Sequence, residues 1–232
     1  MIDQFLSWDR SLLLLLNGSD SLYLDGFMWT VTQTVTWFPM MLITAYVILK
    51  NRGIGSFLFT MLFLALLIAL TDQSCAAFVK PFFHRLRPSH DPELYSIVDI
   101  VNGYRGGLYG FFSNHAANTF GAAIFLSLLF RHYAVTLILY FYAILCSYSR
   151  VYLGVHFPSD ILVGALFGTL IGLLVYYFHY YLECKIGLHR SYFSNVYTTT
   201  GFVRPDLQLI PTLFFMTLVY ITIQAVIYAS QF

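Results

Sequence analysis

The sequence predicts an all-α polytopic membrane protein: six transmembrane helices behind an N-terminal interfacial amphipathic helix, in one domain over residues 1–232. Three observations carry this. Of the 232 residues, 59% are hydrophobic and 10% charged. A soluble domain carries roughly 25% charge, so this chain lacks the polar residues to face water all round. Aromatic residues make up 19%, which suits lipid-facing surfaces and rings set at the membrane interface. The apolar residues also gather in runs close to the length of about 20 that a crossing helix needs.

Residues 1–20 precede the first run. Within 3–16, Phe5, Leu6, Trp8, Leu12 and Leu13 fall near one helical stripe with Asp9 and Arg10 opposite, the pattern of a helix lying in the interface plane. Spans are expected near 28–49, an uncharged run, and 54–79, interrupted only by Asp72. Further spans are expected near 113–130, 133–148, 157–182 and 207–229. The runs at 113–130 and 133–148 are short. Either they tilt little, or polar residues at their outer ends lie inside the bundle.

Six spans sort the loop cations onto two sides. The N-terminal side holds Arg10, Lys80, Arg85, Arg87, Arg105 and Arg150, and the opposite side Lys50, Arg52, Arg131, Lys185, Arg190 and Arg204. The tally ties, but several on the N-terminal side belong to polar clusters described next, and functional residues report topology poorly. Setting those aside leaves the opposite side richer. The positive-inside rule then gives that side to the cytoplasm and turns the N-terminal side outward from an inner membrane.

A net charge of +1 argues against a nucleic-acid partner. Cys75, Cys146 and Cys184 are odd in number and lie in or at the end of apolar runs. That disfavours a disulfide framework, and the paired Cys/His spacing of a zinc site is missing. Asp3 and Asp9 stand where a signal peptide would be positive, so the spans themselves are expected to direct insertion.

Three polar clusters interrupt the apolar chain: Lys80 to Pro88; Ser113-Asn114-His115; and Ser149-Arg150 with His156 and Asp160. The span count places all three on one face. Lys80, Arg87 and Arg150 would repel one another near the headgroup level unless an anion lay between them. Two planar guanidinium forks and an ammonium match phosphate oxygens. Ser113 and the N–H groups that open the next helix, at Asn114, add donors at a helix N-terminus. His156 and Asp160, four apart, share a helix face. A carboxylate on one imidazole nitrogen fixes the tautomer and leaves the other free to attack. His115 remains as general acid for the leaving oxygen. No metal or cofactor is called for, because fixed cations do the electrostatic work.

The pattern Lys80-x6-Arg87-Pro88, Ser113-x-His115 and Ser149-Arg150-x5-His156-x3-Asp160 resembles the type 2 phosphatidic acid phosphatase superfamily. That superfamily includes bacterial lipid phosphatases, glucose-6-phosphatase and soluble vanadium haloperoxidases. The likeness covers nearly the whole chain. It implies phosphate ligands at Lys80, Arg87, Ser113 and Arg150, a general acid at His115, a nucleophile at His156 and an orienting acid at Asp160. One position departs: where the family usually has Pro-Ser-Gly-His, this chain has Phe112-Ser113-Asn114-His115. Asn tolerates positive φ better than most residues, so the change bears on substrate preference more than on activity.

The expected activity is metal-independent hydrolysis of a lipid phosphate or diphosphate through a phosphohistidine on the outer face. Candidate substrates are undecaprenyl diphosphate, lipid A phosphate and glycerophospholipid phosphates. Alternatives are a phosphotransferase using the same site and a non-catalytic lipid-binding or transport protein. The chain lacks the paired repeats common in transporters. The partners are the bilayer and its lipid phosphate; the oligomeric state stays open. Asp72 is read as a partner for a cation or as a brace. His84 and Arg85 are read as rim contacts or solvated groups. The loop 89–112, with Arg105, is read as a lid, a headgroup selector or plain surface. His90, His132, His179 and His189 are read as interfacial or solvated.

Overall fold

The computed structural model describes residues 2–188 and 195–231; His189 and Arg190, weighed above, lie outside the described residues. Every regular element among those residues is helical. Helix α1 (Ile2–Leu16) is followed by α2 (Leu22–Thr32), a 3₁₀ turn at Thr34–Trp37, and α3 (Phe38–Gln73). A π-helical turn at Ser74–Val79 leads into the short α4 (Lys80–Phe83). After a long loop come α5 (Asn114–Phe130), α6 (Tyr133–Tyr152), α7 (Pro158–Lys185), the short α8 (Arg204–Leu207) and α9 (Leu209–Ala229).

The chain is a multi-pass membrane protein. Among the described residues four helical segments are long and apolar enough to cross a membrane: Thr34–Phe83, Tyr133–Tyr152, Pro158–Lys185 and Arg204–Ala229. This is fewer than the six expected, for two reasons. Helix α5 has 17 residues, short of the usual crossing length. Two of the expected spans also meet in one segment, which Gly53 breaks at φ 74°, a conformation glycine adopts at no steric cost.

The expected span at 28–49 is interrupted as well. Gln33 is extended between α2 and the 3₁₀ turn. Carbonyls freed there find side-chain donors: Thr36 Oγ1 donates to Thr30 O at 2.8 Å and Trp37 Nε1 to Val31 O at 2.8 Å. The broken helix still runs beside α9 along its length. Gly26 packs on Tyr228, Trp37 stacks on Phe214, and Lys50 pairs with Asp206 at 2.9 Å.

Helices α5 and α7 set the centre. Gly164, Gly168 and Gly172 recur every fourth residue on α7. A Cβ at Gly168 would stand 2.0 Å from Ala117 O, and one at Gly172 2.5 Å from Gly121 O. Stripes of small residues let backbones meet this closely in a membrane, where apolar burial alone gives no drive to associate. The main apolar core, with Phe63, Leu67, Phe125 and Phe130, lies toward the opposite end from the polar clusters.

Helix α1 differs from the expected interfacial pattern. Asp9 and Leu13, one turn apart, are buried, while Trp8 and Leu15 are 70% and 79% exposed. Leu13 packs with Leu94, Val98, Val151 and Phe157. Asp9 turns inward because partners await it there: Ser159 donates to it through its backbone N at 3.0 Å and its Oγ at 2.5 Å. Arg10, beside it, pairs with Asp91 at 3.1 Å and with Glu93. His179, expected at an interface or in solvent, is also buried, among Phe59, Phe63 and Phe125. Thr60 Oγ1 lies 3.3 Å from its Nε2.

Candidate active site

The three polar clusters converge. Lys80 leaves the π-helical turn, Arg87 follows in extended backbone, His115 opens α5, Arg150 ends α6, and His156 precedes α7. All five side chains line one cavity of about 680 Å³. Its polar end also takes in Asp72, Tyr104, Asn114 and Asn118; its remainder runs down past Met40, Leu64 and Leu126.

His156 is buried, and its two nitrogens face different partners. Arg87 Nη1 lies 3.2 Å from Nε2, and Asp160 Oδ2 lies 3.4 Å from Nδ1. A guanidinium has no acceptor, so Nε2 accepts and the proton sits on Nδ1, facing the carboxylate. Burial first, and then the charges of Arg87, Arg150 and Lys80, hold the imidazole far below its ordinary value near 6.5. It is neutral, with its lone pair on the cavity side. Asp160 Oδ2 also accepts from Phe157 N at 3.0 Å, reaching back to the N-cap backbone where α7 begins at Pro158.

The cations are gripped but not satisfied. Arg87 Nη1 also donates to Val155 O at 3.2 Å. Arg150 donates to Thr32 Oγ1 at 2.5 Å and to Tyr104 OH at 3.2 Å. Among the described residues the buried Nε–H of each guanidinium has no acceptor, and a buried donor left unpaired is costly. Burial, then the Arg150 charge, lowers the Arg87 pKa. An anion between the two would relieve both costs. Gly106, at φ 66°, lets the loop pass over Arg87: a Cβ there would meet Nη1 at 2.9 Å.

Lys80 donates to Asn114 Oδ1 at 2.6 Å. Asn114 and Asn118 both donate to Asp72 Oδ1 at 3.0 Å. The acid within the apolar run is thus tied to the cation through an amide, with Asn114 as the link. Where the family usually has glycine, this chain has a side chain that holds the lysine. Ser113 is fully buried behind the lining: its Oγ accepts from Ala116 N at 3.5 Å as the cap of α5, and its N–H donates to Asp160 O at 3.1 Å. The α5 cap is therefore fastened to the turn that carries His156 and Asp160.

The sequence reading left Arg85 undecided. The structure gives it a central place, with Nη1 2.8 Å from Asp160 Oδ1 and Nη2 2.6 Å from Asp9 Oδ2. Its position offered one signal: Arg85 and Arg87 are two apart in extended chain, where alternate residues share a face. Arg105 does not reach the cavity lining; it donates to Ser89 O at 2.6 Å and lies over Tyr95, 4.0 Å from the ring centroid. From the same loop, Tyr104 does reach the site. Burial favours its neutral phenol, but the hydrogen bond from Arg150 and the charges of Arg150 and Arg87 outweigh it and lower its pKa.

Comparison with known proteins identifies a family and its members. Residues 55–184 match the PAP2 superfamily. A lipid A 4′-phosphatase of Bacteroides thetaiotaomicron is 42% identical over 188 residues, covering 80% of this chain and 83% of the relative. A lipid A 4′-phosphatase of Porphyromonas gingivalis is 37% identical over 184 residues, covering 79% and 78%. Among solved structures, Aquifex aeolicus LpxE is 30% identical with a TM-score of 0.52, covering 72% of this chain and 93% of that one. A transmembrane PAP2-type phosphatidylglycerolphosphate phosphatase of Bacillus subtilis has a TM-score of 0.58 at 24% identity, covering 77% and 88%. That likeness speaks to the fold alone.

Proposed function

This chain belongs to the PAP2 superfamily, and from that premise we propose that it is a lipid A phosphatase that removes the 4′-phosphate through a phosphohistidine. The single observation that carries the chemistry is the neutral His156 beside two buried guanidiniums whose Nε–H groups lack acceptors. The relatives' activities favour lipid A over the other lipid phosphates considered.

In this reading, phosphate oxygens draw the donors of Arg87, Arg150 and Lys80. Arg87 thereby releases the Nε2 lone pair, which attacks phosphorus. The bond from phosphorus to the sugar oxygen breaks, and His115, which takes up a proton as the phosphate's negative charge enters among Arg87, Arg150 and Lys80, passes that proton on and makes the oxygen a hydroxyl. The Nδ1–H of the phosphorylated imidazolium stays on the ring and faces the Asp160 carboxylate. His115, now a base, takes a proton from water, which attacks phosphorus; the bond from phosphorus to Nε2 breaks, the electron pair returns to the ring, and inorganic phosphate leaves. Preorganised donors of this kind stabilise the charge that develops on the equatorial oxygens.

The chain then crosses the inner membrane six times, counting each half of the Thr34–Phe83 segment and α5, and the site faces outward. Helix α1 lies along that outer surface, with Trp8 and Leu15 toward lipid. The test is phosphate release by the purified protein from bisphosphorylated lipid A, phosphatidic acid, phosphatidylglycerol phosphate and undecaprenyl diphosphate, with mass spectrometry of the lipid A product. Loss of the 4′-phosphate is expected. Release from the other lipids with lipid A untouched would overturn the assignment.

A further inference from the structure

The sequence places Asp9 150 residues before Ser159, on a helix with no part in the family pattern. In the structure its carboxylate ends a buried chain of charged hydrogen bonds that starts at the nucleophile. His156 Nδ1 faces Asp160 Oδ2; the other oxygen, Oδ1, accepts from Arg85 Nη1 at 2.8 Å. The same Nη1 reaches Ser159 Oγ at 2.7 Å, and Nη2 reaches Asp9 Oδ2 at 2.6 Å. Asp9 then closes the ring by accepting from Ser159 N at 3.0 Å and Oγ at 2.5 Å. Asp9 is 4% exposed and Asp160 fully buried.

We propose that Asp9 and Arg85 are positioning residues for the nucleophile, with the N-terminal helix supplying the outermost member of the set. Asp160 alone does not define the imidazole's orientation, because its Oδ2 is shared between Phe157 N and a long contact to Nδ1. The plane of the carboxylate is fixed by what holds Oδ1, which is Arg85. Arg85 is in turn held on three sides: by Asp9, by Ser159 and by the Phe157 ring, 4.2 Å from its carbon to the centroid. Its backbone is fixed too, since its carbonyl accepts from Gly110 N at 2.9 Å. Without Asp9, a half-buried guanidinium loses its second anion and can pull Asp160 away from His156. Partners behind a reacting group, each fixing the next, are worth about ten- to a hundredfold in function when removed from metal sites, and the same logic applies to an oriented imidazole.

This inference rests on the reading of His156 as nucleophile, so its test has two arms. In the first, kcat and KM for lipid A are measured below the melting temperature for wild type, Asp9→Asn, Asp9→Glu, Arg85→Ala and the Asp9→Asn/Arg85→Ala double variant. We expect Asp9→Asn to lower kcat about ten- to a hundredfold with KM within about twofold. Asp9→Glu should recover part of the loss, and the double variant should lose no more than Arg85→Ala alone. Unchanged kcat, or a rise in KM alone, would overturn the proposal. The second arm needs no turnover: ¹⁵N-histidine NMR of the full chain in micelles, with His156 assigned by its absence in His156→Gln. Asp9→Asn should move the His156 nitrogens from the single Nδ1–H tautomer toward a mixture, and unchanged shifts would overturn the proposal. A wild type that hydrolyses no lipid would end the functional reading, leaving this arm to decide the positioning claim.

Discussion

Arg87 Nη1 stands 3.2 Å from His156 Nε2, so in the proposed reaction the cation that receives the phosphate also guards the attacking lone pair. Replacing Arg87 therefore removes a phosphate donor and unmasks the imidazole at once. Arg87→Ala should lower kcat/KM for lipid A about 10²- to 10³-fold, the scale for losing one preorganised donor. Arg87→Lys should recover little, because an ammonium cannot reproduce the planar fork. Activity should persist in excess chelator, since the charges are side chains. Steady-state phosphate release checks all three; near-normal Arg87→Ala turnover would remove this residue from the site.

The neutral His156 carries a signed pH effect. Folded, its imidazole takes up a proton only far below 6.5; unfolded, it does so near 6.5. Below about pH 6.5 the unfolded chain therefore binds more protons, and stability falls as pH falls. The melting temperature of phosphate-free protein should be highest above that pH and drop on acidification. His156→Gln should flatten part of the slope. Parallel curves for the two proteins would show that this group does not contribute.

The contact of Gly168 with Ala117 gives a packing prediction. A methyl group at 168 would fall 2.0 Å from a backbone oxygen, and backbone cannot step aside as a side chain can. Gly168→Ala should cost about 1–3 kcal/mol, the usual range for overpacking. It should also lower activity, because α5 carries His115 and α7 follows His156. Gly55→Ala, whose added carbon would meet, among the described residues, only Leu188 at 3.8 Å, serves as the control. Equal melting temperatures for the two variants would contradict the close approach.

Orientation can be read with thiols. Cys75 and Cys146 are buried, while Cys184 is exposed at the far end of α7. Leu108, 51% exposed, lies in the loop over the site. In intact cells an impermeant maleimide should label Leu108→Cys in a Cys184→Ser background, and should leave native Cys184 unlabelled until the membrane is opened. The reverse pattern would turn the site to the cytoplasm.

The convergence of Lys80, Arg87, His115, Arg150 and His156 was legible because charged groups in an apolar chain are expensive and need a common reason. Helix bounds at 113–130 and 157–182 were close to α5 and α7 for a similar reason: Ser113 and Pro158 are strong local start signals. Long-range pairings were not legible. Asp9 looked like the polar side of a surface helix, since nothing nearby in sequence announces Ser159 and Arg85 as its partners. Likewise Gly164, Gly168 and Gly172 read as plain apolar chain until α5 lay against them. His179 escaped because its aromatic cage is assembled from two stretches far from it in sequence. Gly53 breaks the helix at the boundary expected between the spans near 28–49 and 54–79, where charged and glycine residues interrupt the apolar runs.

The shape of the cavity has an energetic corollary for substrate handling. Its lower part, past Met40, Leu64 and Leu126, has the same oily character as the bilayer interior. A fatty tail sliding into it trades one hydrocarbon medium for another. Lifting that tail into water would cost about 0.8 kcal/mol per methylene, or about 11 kcal/mol for a chain of fourteen carbons. An enzyme built this way can work on a headgroup while its anchor never leaves oil.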